Sequence, residues 1–142
     1  MREILFRAKR IDNGEWVTGD LIQTAFIKNE TEENIPYILD VSKADYDCFE
    51  DLSEENGIFE VDQETICEYM GLTDKNGRKI FEGDILSGER YHDWGQGGEY
   101  LPDKCVIRWN DKRAAFDPIY WWEVYNHDLK NYEVIGNIFD NK

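Results

Sequence analysis

The chain holds two histidines and three cysteines, and their spacing decides what chemistry they could share. His92-Asp93 and His127-Asp128 each offer a pair of metal ligands. Tetrahedral zinc takes three or four ligands, anchored by spacings such as His-x-x-x-His or Cys-x-x-Cys, and neither occurs here. Asp74-x-Asn76-Gly77 is too short for a calcium loop and lacks its closing bidentate glutamate. A nucleophilic pair of Cys67 with His92 or His127 is at chance level, and Ser87-Gly88 has no nucleophile-elbow context. Trp94-Gly95-Gln96-Gly97-Gly98-Glu99 is rich in glycine, but a phosphate cradle opens a helix, whereas Tyr100-Leu101-Pro102 follow here. Glu82 and Asp84 are close enough for acid–base work. With 31 acidic residues in the chain such proximity arises by accident, and Asp84 is better placed to accept hydrogen bonds from amides of its own turn. The expectation is a protein without catalytic, metal or cofactor-binding residues, and not an enzyme.

What must position these groups follows from charge and patterning. The 142 residues carry a formal net charge of −15, which argues against a broad nucleic-acid-binding face. At 41% hydrophobic and 14% aromatic, the chain has enough apolar surface to fold despite that charge. Residues 28–64 hold 13 acids against Lys28 and Lys43, so most of the excess lies in one quarter of the sequence. Ile35, Tyr37, Ile38, Leu39 and Val41 in the same stretch make it a folded, highly solvated insertion. The three cysteines, unevenly placed and odd in number, fit free thiols in a reducing compartment. Apolar runs are too short to span a bilayer, and the charged alternation at the start is unlike a signal peptide, so a cytoplasmic protein is expected.

The alternation of Ile4, Phe6 and Ala8 with Leu5, Arg7 and Lys9 predicts a strand, and Asp12-Asn13-Gly14-Glu15 a tight hairpin turn. The return strand is Trp16-Val17-Thr18, interrupted at Gly19-Asp20 before another strand over 21–27. Tyr37-Ile38-Leu39 follows Pro36 as a strand near an edge. Helical spacing predicts a short helix over 42–55. After the strand 58–61, Asp62 caps one to two helical turns ending at Gly71. Asp74-Lys75-Asn76-Gly77 and Glu82-Gly83-Asp84 are turns feeding short strands. Residues 91–103 are expected to be a loop or mobile hairpin. Strands are expected over 106–109, 114–116, 120–125 and 132–139, the third carrying Tyr120, Trp122 and Val124 on one face and Trp121 and Tyr125 on the other. Lys104, Arg108, Lys112 and Arg113 form the one local basic patch. The fold class is mainly β, a β-rich α+β chain of one domain, with a first lobe over 1–61 and a second over 62–142.

The turn residues also carry a resemblance. Arg2-Glu3-Ile4-x-Phe6-Arg7-Ala8, Val61-Asp62-x-Glu64-Thr65, Tyr69-x-Gly71-Leu72-x-Asp74-Lys75-Asn76-Gly77, Ile80-x-Glu82-Gly83-Asp84-Ile85 and Val134-Ile135-Gly136-Asn137-Ile138 resemble, in order, the YopX family of phage and prophage proteins. The resemblance implies a mostly β structure with an SH3-like barrel portion in the C-terminal half, and no established activity. The structural motif it implies here is Thr65, Gly71, Asp74, Asn76, Gly77, Glu82, Gly83, Asp84, Gly136 and Asn137, and its recurrent residues are turn formers together with the strand apolars Ile80, Ile85, Ile135 and Ile138, which mark a fold. The leading expectation is a non-enzymatic accessory protein that binds a host or phage protein, its acidic segment in one version mimicking nucleic acid. The alternatives are a ligand-binding or enzymatic β domain with a pocket between the lobes near Asp84, His92 or His127, and nucleic-acid binding through the C-terminal barrel. Exposed strands are also compatible with a homo-oligomer.

Overall fold

A computed structural model of the chain describes residues 3–28, 31–40, 42, 57–117 and 129–141. The described elements are almost all antiparallel strands, as the period-two patterning requires. No helix among them is long and apolar enough to cross a membrane. The helix expected over 42–55, the aromatic strand 120–125, Cys48 and His127 fall, Ser42 apart, outside the described residues. The chain divides into two compact units, Met1–Glu68 and Tyr69–Lys142, where the sequence reading ends its first lobe at 61.

In the first unit, strands β1 (Phe6–Lys9), β2 (Trp16–Lys28), β3 (Thr31–Leu39) and β4 (Ile58–Glu60) lie in the order β4-β3-β2-β1. Cys67 and Glu68, at the start of β5 (Cys67–Thr73), pair with β1. The Asn13-Gly14 turn forms as expected, with Gly14 N–H donating to the Arg10 carbonyl at 2.9 Å and the Asn13 side chain accepting from Glu15 N–H. Gly19 does not interrupt the return strand, which runs unbroken through it. A Cβ at that position would lie 1.8 Å from the Leu39 carbonyl oxygen, so the glycine admits a close approach of β3 instead of making a turn. The core gathers Ala8, Val17, Ile38, Phe59 and Val61. Arg7 and Lys9, on the opposite face of β1, are buried as well. The Arg7 guanidinium sits 4.1 Å from the Trp16 ring centroid and Lys9 Nζ 5.7 Å from it, so tryptophan covers both cations.

Asp62 caps as expected, accepting from Glu64 N–H at 3.0 Å, but only a single 3-10 turn over Gln63–Thr65 follows. The helix predicted to end at Gly71 is instead strand β5. Ile66, Cys67 and Tyr69 are β-formers with a sheet edge at β1 to join, and that pairing outweighs the weak cap signal. Thr65 secures the junction, its hydroxyl donating to the Asp62 carbonyl at 2.7 Å and accepting from Lys9 N–H at 2.9 Å. Gly71 lies in β5 with φ of 91°, where the register with the next strand shifts between Tyr69 and Thr73. A left-handed residue at such an irregularity is what glycine supplies.

In the second unit the rest of β5 pairs with β6 (Lys79–Phe81). Strands β7 (Asp84–Asp93), β8 (Gly98–Val106) and β11 (Tyr132–Asn137) form a sheet in the order β11-β7-β8, and β9 (Arg108–Asn110) pairs with β10 (Ala115–Asp117). These small sheets do not close into a barrel among the described residues, which corrects the SH3-like expectation. Ile107, between β8 and β9, shows one reason. Its carbonyl accepts from Gly83 N–H at 2.7 Å and its N–H donates to the Asp84 carbonyl at 2.9 Å, so the ladder is diverted to the Gly83-Asp84 turn. The core holds Met70, Ile80, Leu86, Ile107, Phe116, Tyr132 and Val134. The Tyr132 ring crosses Gly88, whose Cβ would lie 2.7 Å from it, and its hydroxyl donates to Asp103 at 2.8 Å. Burial and the neighbouring Asp103 carboxylate push the Tyr132 phenol upward.

Candidate functional site: buried turns and an aromatic hairpin

Two turns that the sequence singled out meet at β11. Asp74 is buried, and its Oδ1 accepts from Asn76 N–H and Arg78 N–H, each at 2.9 Å, while its Oδ2 accepts from Val134 N–H at 2.9 Å. Gly77 N–H donates to the Asp74 carbonyl and Lys75 N–H to the Tyr132 carbonyl. The second turn centres on Asp84, which is fully buried. Its Oδ2 accepts from Phe81 N–H at 2.8 Å and its Oδ1 from the Asn137 amide at 2.9 Å. Asn137 also donates to the Glu82 carbonyl at 3.2 Å and accepts from Phe139 N–H at 3.0 Å. Ile138 N–H donates to the Gly83 carbonyl. Gly136 sits where β11 slips register against β7 between Val134 and Gly136, with the Asp140 carboxylate 3.1 Å from where its Cβ would be. Both buried carboxylates thus hold backbone amides, the role of a turn-fixing acceptor.

Burial raises the pKa of Asp74, but the N–H donations from Val134, Arg78 and Asn76 and the Arg78 charge outweigh it, holding the carboxyl below its ordinary 3.8. A depressed folded pKa means that this carboxylate's stabilisation is complete above the unfolded value and drains away as pH falls through the folded one. Chemical denaturation midpoints of the parent should therefore decline below about pH 4, and the Asp74→Asn variant should lack that component. Equal acid sensitivity in the two proteins would count against it.

Among the described residues, nucleophilic chemistry finds little support. Cys105 is pushed up to about 12 by burial and by the Asp103 carboxylate, so it stays a thiol at neutral pH. Buried Cys67 lies 3.2 Å from the Thr65 carbonyl. Among the described residues no group of three or more His, Cys, Asp or Glu could hold a metal ion.

The second unit has an open groove of about 670 Å³ lined by Cys105, Arg108, Trp109, Lys112 and Asp117 among others. Its polar residues already support the β9–β10 turn. The Asn110 amide donates to Asp117 at 2.8 Å, its oxygen accepts from Lys112 N–H and Arg113 N–H, and Arg113 pairs with Asp117 at 3.5 Å. Neither Asp84 nor His92 lines the groove.

Residues 91–103, expected as a loop or mobile hairpin, are the outer half of a long hairpin paired from Ile85↔Val106 to Asp93↔Gly98. Trp94 N–H donates to the Gly97 carbonyl at 2.9 Å and Gly95 N–H to the Asp93 side chain at 2.8 Å, closing the tip. Tyr91 and Tyr100 face each other edge-on at 5.3 Å while 47% and 58% exposed. Trp94, 65% exposed, stacks on His92 at 5.7 Å.

The family model described as YopX protein matches residues 5–142. The chain belongs to the YopX family. No curated protein compared with it matches.

In this YopX-family chain, Asp74, Asn76 and Gly77 share one turn, and Glu82, Gly83, Asp84, Gly136 and Asn137 gather at the other. Thr65 sits apart, in the first unit, and Gly71 at the irregularity in β5. The exposed aromatic pair was missed by sequence reasoning. Its signal was symmetry: Tyr91 and Tyr100 stand equally far from the centre of the Gly95-Gln96 turn, as a cross-strand pair must.

Proposed function

We propose that this YopX-family chain is a non-enzymatic accessory protein of phage or prophage type, acting in the bacterial cytoplasm by binding a protein partner of opposite charge. The observation that carries this reading is the use of the buried family-block carboxylates. Asp74 and Asp84 both hold backbone N–H groups of turns, which leaves them fold-keeping roles and not acid–base ones. The net charge of −15 favours a basic protein surface over nucleic acid by simple attraction. In the finer version the acidic segment 28–64 displaces nucleic acid from a basic host factor. The test is capture from host lysate at low and at high salt. Capture that weakens as salt rises supports charge-driven binding, capture that survives ~0.5 M salt counts against a mimic, and no capture at either salt overturns the reading.

A second reading follows from the groove, where Trp109 stands exposed between Arg108 and Lys112. A stacking ring beside cations is the minimal grip for single-stranded nucleic acid. A gel shift at ~50 mM salt decides it, and no shift with single-stranded or duplex DNA removes it.

A further inference from the structure

The outer half of the β7–β8 hairpin has one face whose composition is unlike the rest of the unit. Side chains alternate along paired strands, so Glu89, Tyr91 and Asp93 of β7 share a face with their partners Pro102, Tyr100 and Gly98 of β8. Two exposed tyrosines in edge-on contact are thus bracketed along β7 by two carboxylates, each about 7 Å from Tyr91 along the strand. The far end of the Tyr91 ring lies over Gly98, where a Cβ would be 2.7 Å from it, so the missing side chain makes room for the ring. One carboxylate oxygen of Asp93 accepts from Gly95 N–H, which fixes that acid at the edge of the ring surface. His92, Glu99, Arg90 and Leu101 point to the other face, leaving this one with acids and rings around the tip and Lys104 further back, opposite Ser87.

Resting on the reading of a protein partner, we infer that this face docks an arginine side chain presented by a basic protein surface. A guanidinium is planar, weakly hydrated, stacks on aromatic rings and forks onto a carboxylate. Rings flanked by acids at this spacing meet both demands at once. Charge selects the occupant. Nucleic acid and a second copy of a chain carrying −15 are both repelled, whereas a cationic segment is drawn in and finds rings to rest on. The hairpin is closed at its tip before any partner arrives, so little ordering entropy opposes docking.

Nona-arginine and nona-lysine peptides serve as probes of the whole chain, by amide NMR titration at ~50 mM salt. The arginine peptide is expected to bind about threefold or more tightly than the lysine peptide, with the largest shifts at Tyr91 and Tyr100. Tyr91→Ala combined with Tyr100→Ala should reduce the arginine peptide to the lysine level. The paired Tyr→Phe changes should keep the preference, since the ring and not the hydroxyl makes the platform. Trp94→Ala, which removes the stack on His92, should keep it too, and melting curves verify that each variant folds. Equal affinity for the two peptides, or a preference that survives the paired alanines, overturns the arginine site while leaving a charge-driven protein partner standing. If neither peptide binds, both readings fall.

Discussion

Asp84→Asn should destabilise the chain by about 3 kcal/mol, because it turns one of two acceptors inside a buried network into a donor. Asp84 is fully buried, and its two oxygens receive Phe81 N–H and the Asn137 amide. Whichever way the new side chain turns, its NH2 group faces one of those donors, and no water reaches the site to compensate. The loss is felt on two elements at once, since Phe81 ends β6 and Asn137 ends β11. Thermal melts should fall by roughly 10 °C, with amide exchange rising at Phe81. Asn137→Asp should be worse still, setting a second carboxylate 2.9 Å from the first. A loss below about 1 kcal/mol for Asp84→Asn would show that the turn is held by its backbone pairs to Ile107 and Ile138 alone.

Gly19→Ala should match or exceed that loss, at about 3 kcal/mol, by a different mechanism. The added methyl would meet the Leu39 carbonyl oxygen at 1.8 Å, its carbon at 2.6 Å and Asp40 Cα at 3.2 Å. All three are backbone atoms, so no rotamer change relieves the clash, and β2 must part from β3 near the Asp20↔Leu39 pair. Gly14→Ala is the control. That glycine has φ of 71° and nothing within 4 Å of its Cβ position, so only the backbone preference is lost, about 1 kcal/mol. Urea midpoints of the two variants should separate clearly, and equal midpoints would show that β3 can shift at no cost.

The turns were legible in the sequence because their chemistry is local. Asn13-Gly14, Asp74 to Gly77 and Glu82 to Asp84 each hold their own ingredients, and Asp84 was readable as an acceptor for its own turn. The YopX family was legible in part for the same reason, since its recurrent positions are these turn formers and the strand apolars beside them. What escaped depends on partners far away in the chain. Gly19 is indistinguishable from a turn glycine until the Leu39 carbonyl is brought against it. The cap signal at Asp62 was correct, but the strand partner β1 decides that only one 3-10 turn follows. Arg7 and Lys9 alternate like an exposed face, and the Trp16 ring that lies over both in the fold is not visible from that alternation. The glycines and Pro102 of residues 91–103 left a loop and a hairpin both open, and the Tyr91–Tyr100 pair needed the register to become visible. Of the candidate surface, its aromatic content could be listed from the sequence but not its bracketing by Glu89 and Asp93.

The position of β11 has a consequence for how the second unit is built. The Val134 amide that Asp74 accepts is 60 residues away, and the Asn137 amide that Asp84 accepts is 53 residues away. Each carboxylate therefore completes its set of partners only with a strand that leaves the ribosome long after its own turn. Contacts of such high sequence separation form slowly. The Val134 and Asn137 amides are therefore expected to be the last partners to join each carboxylate, after the local amides of Asn76, Arg78 and Phe81.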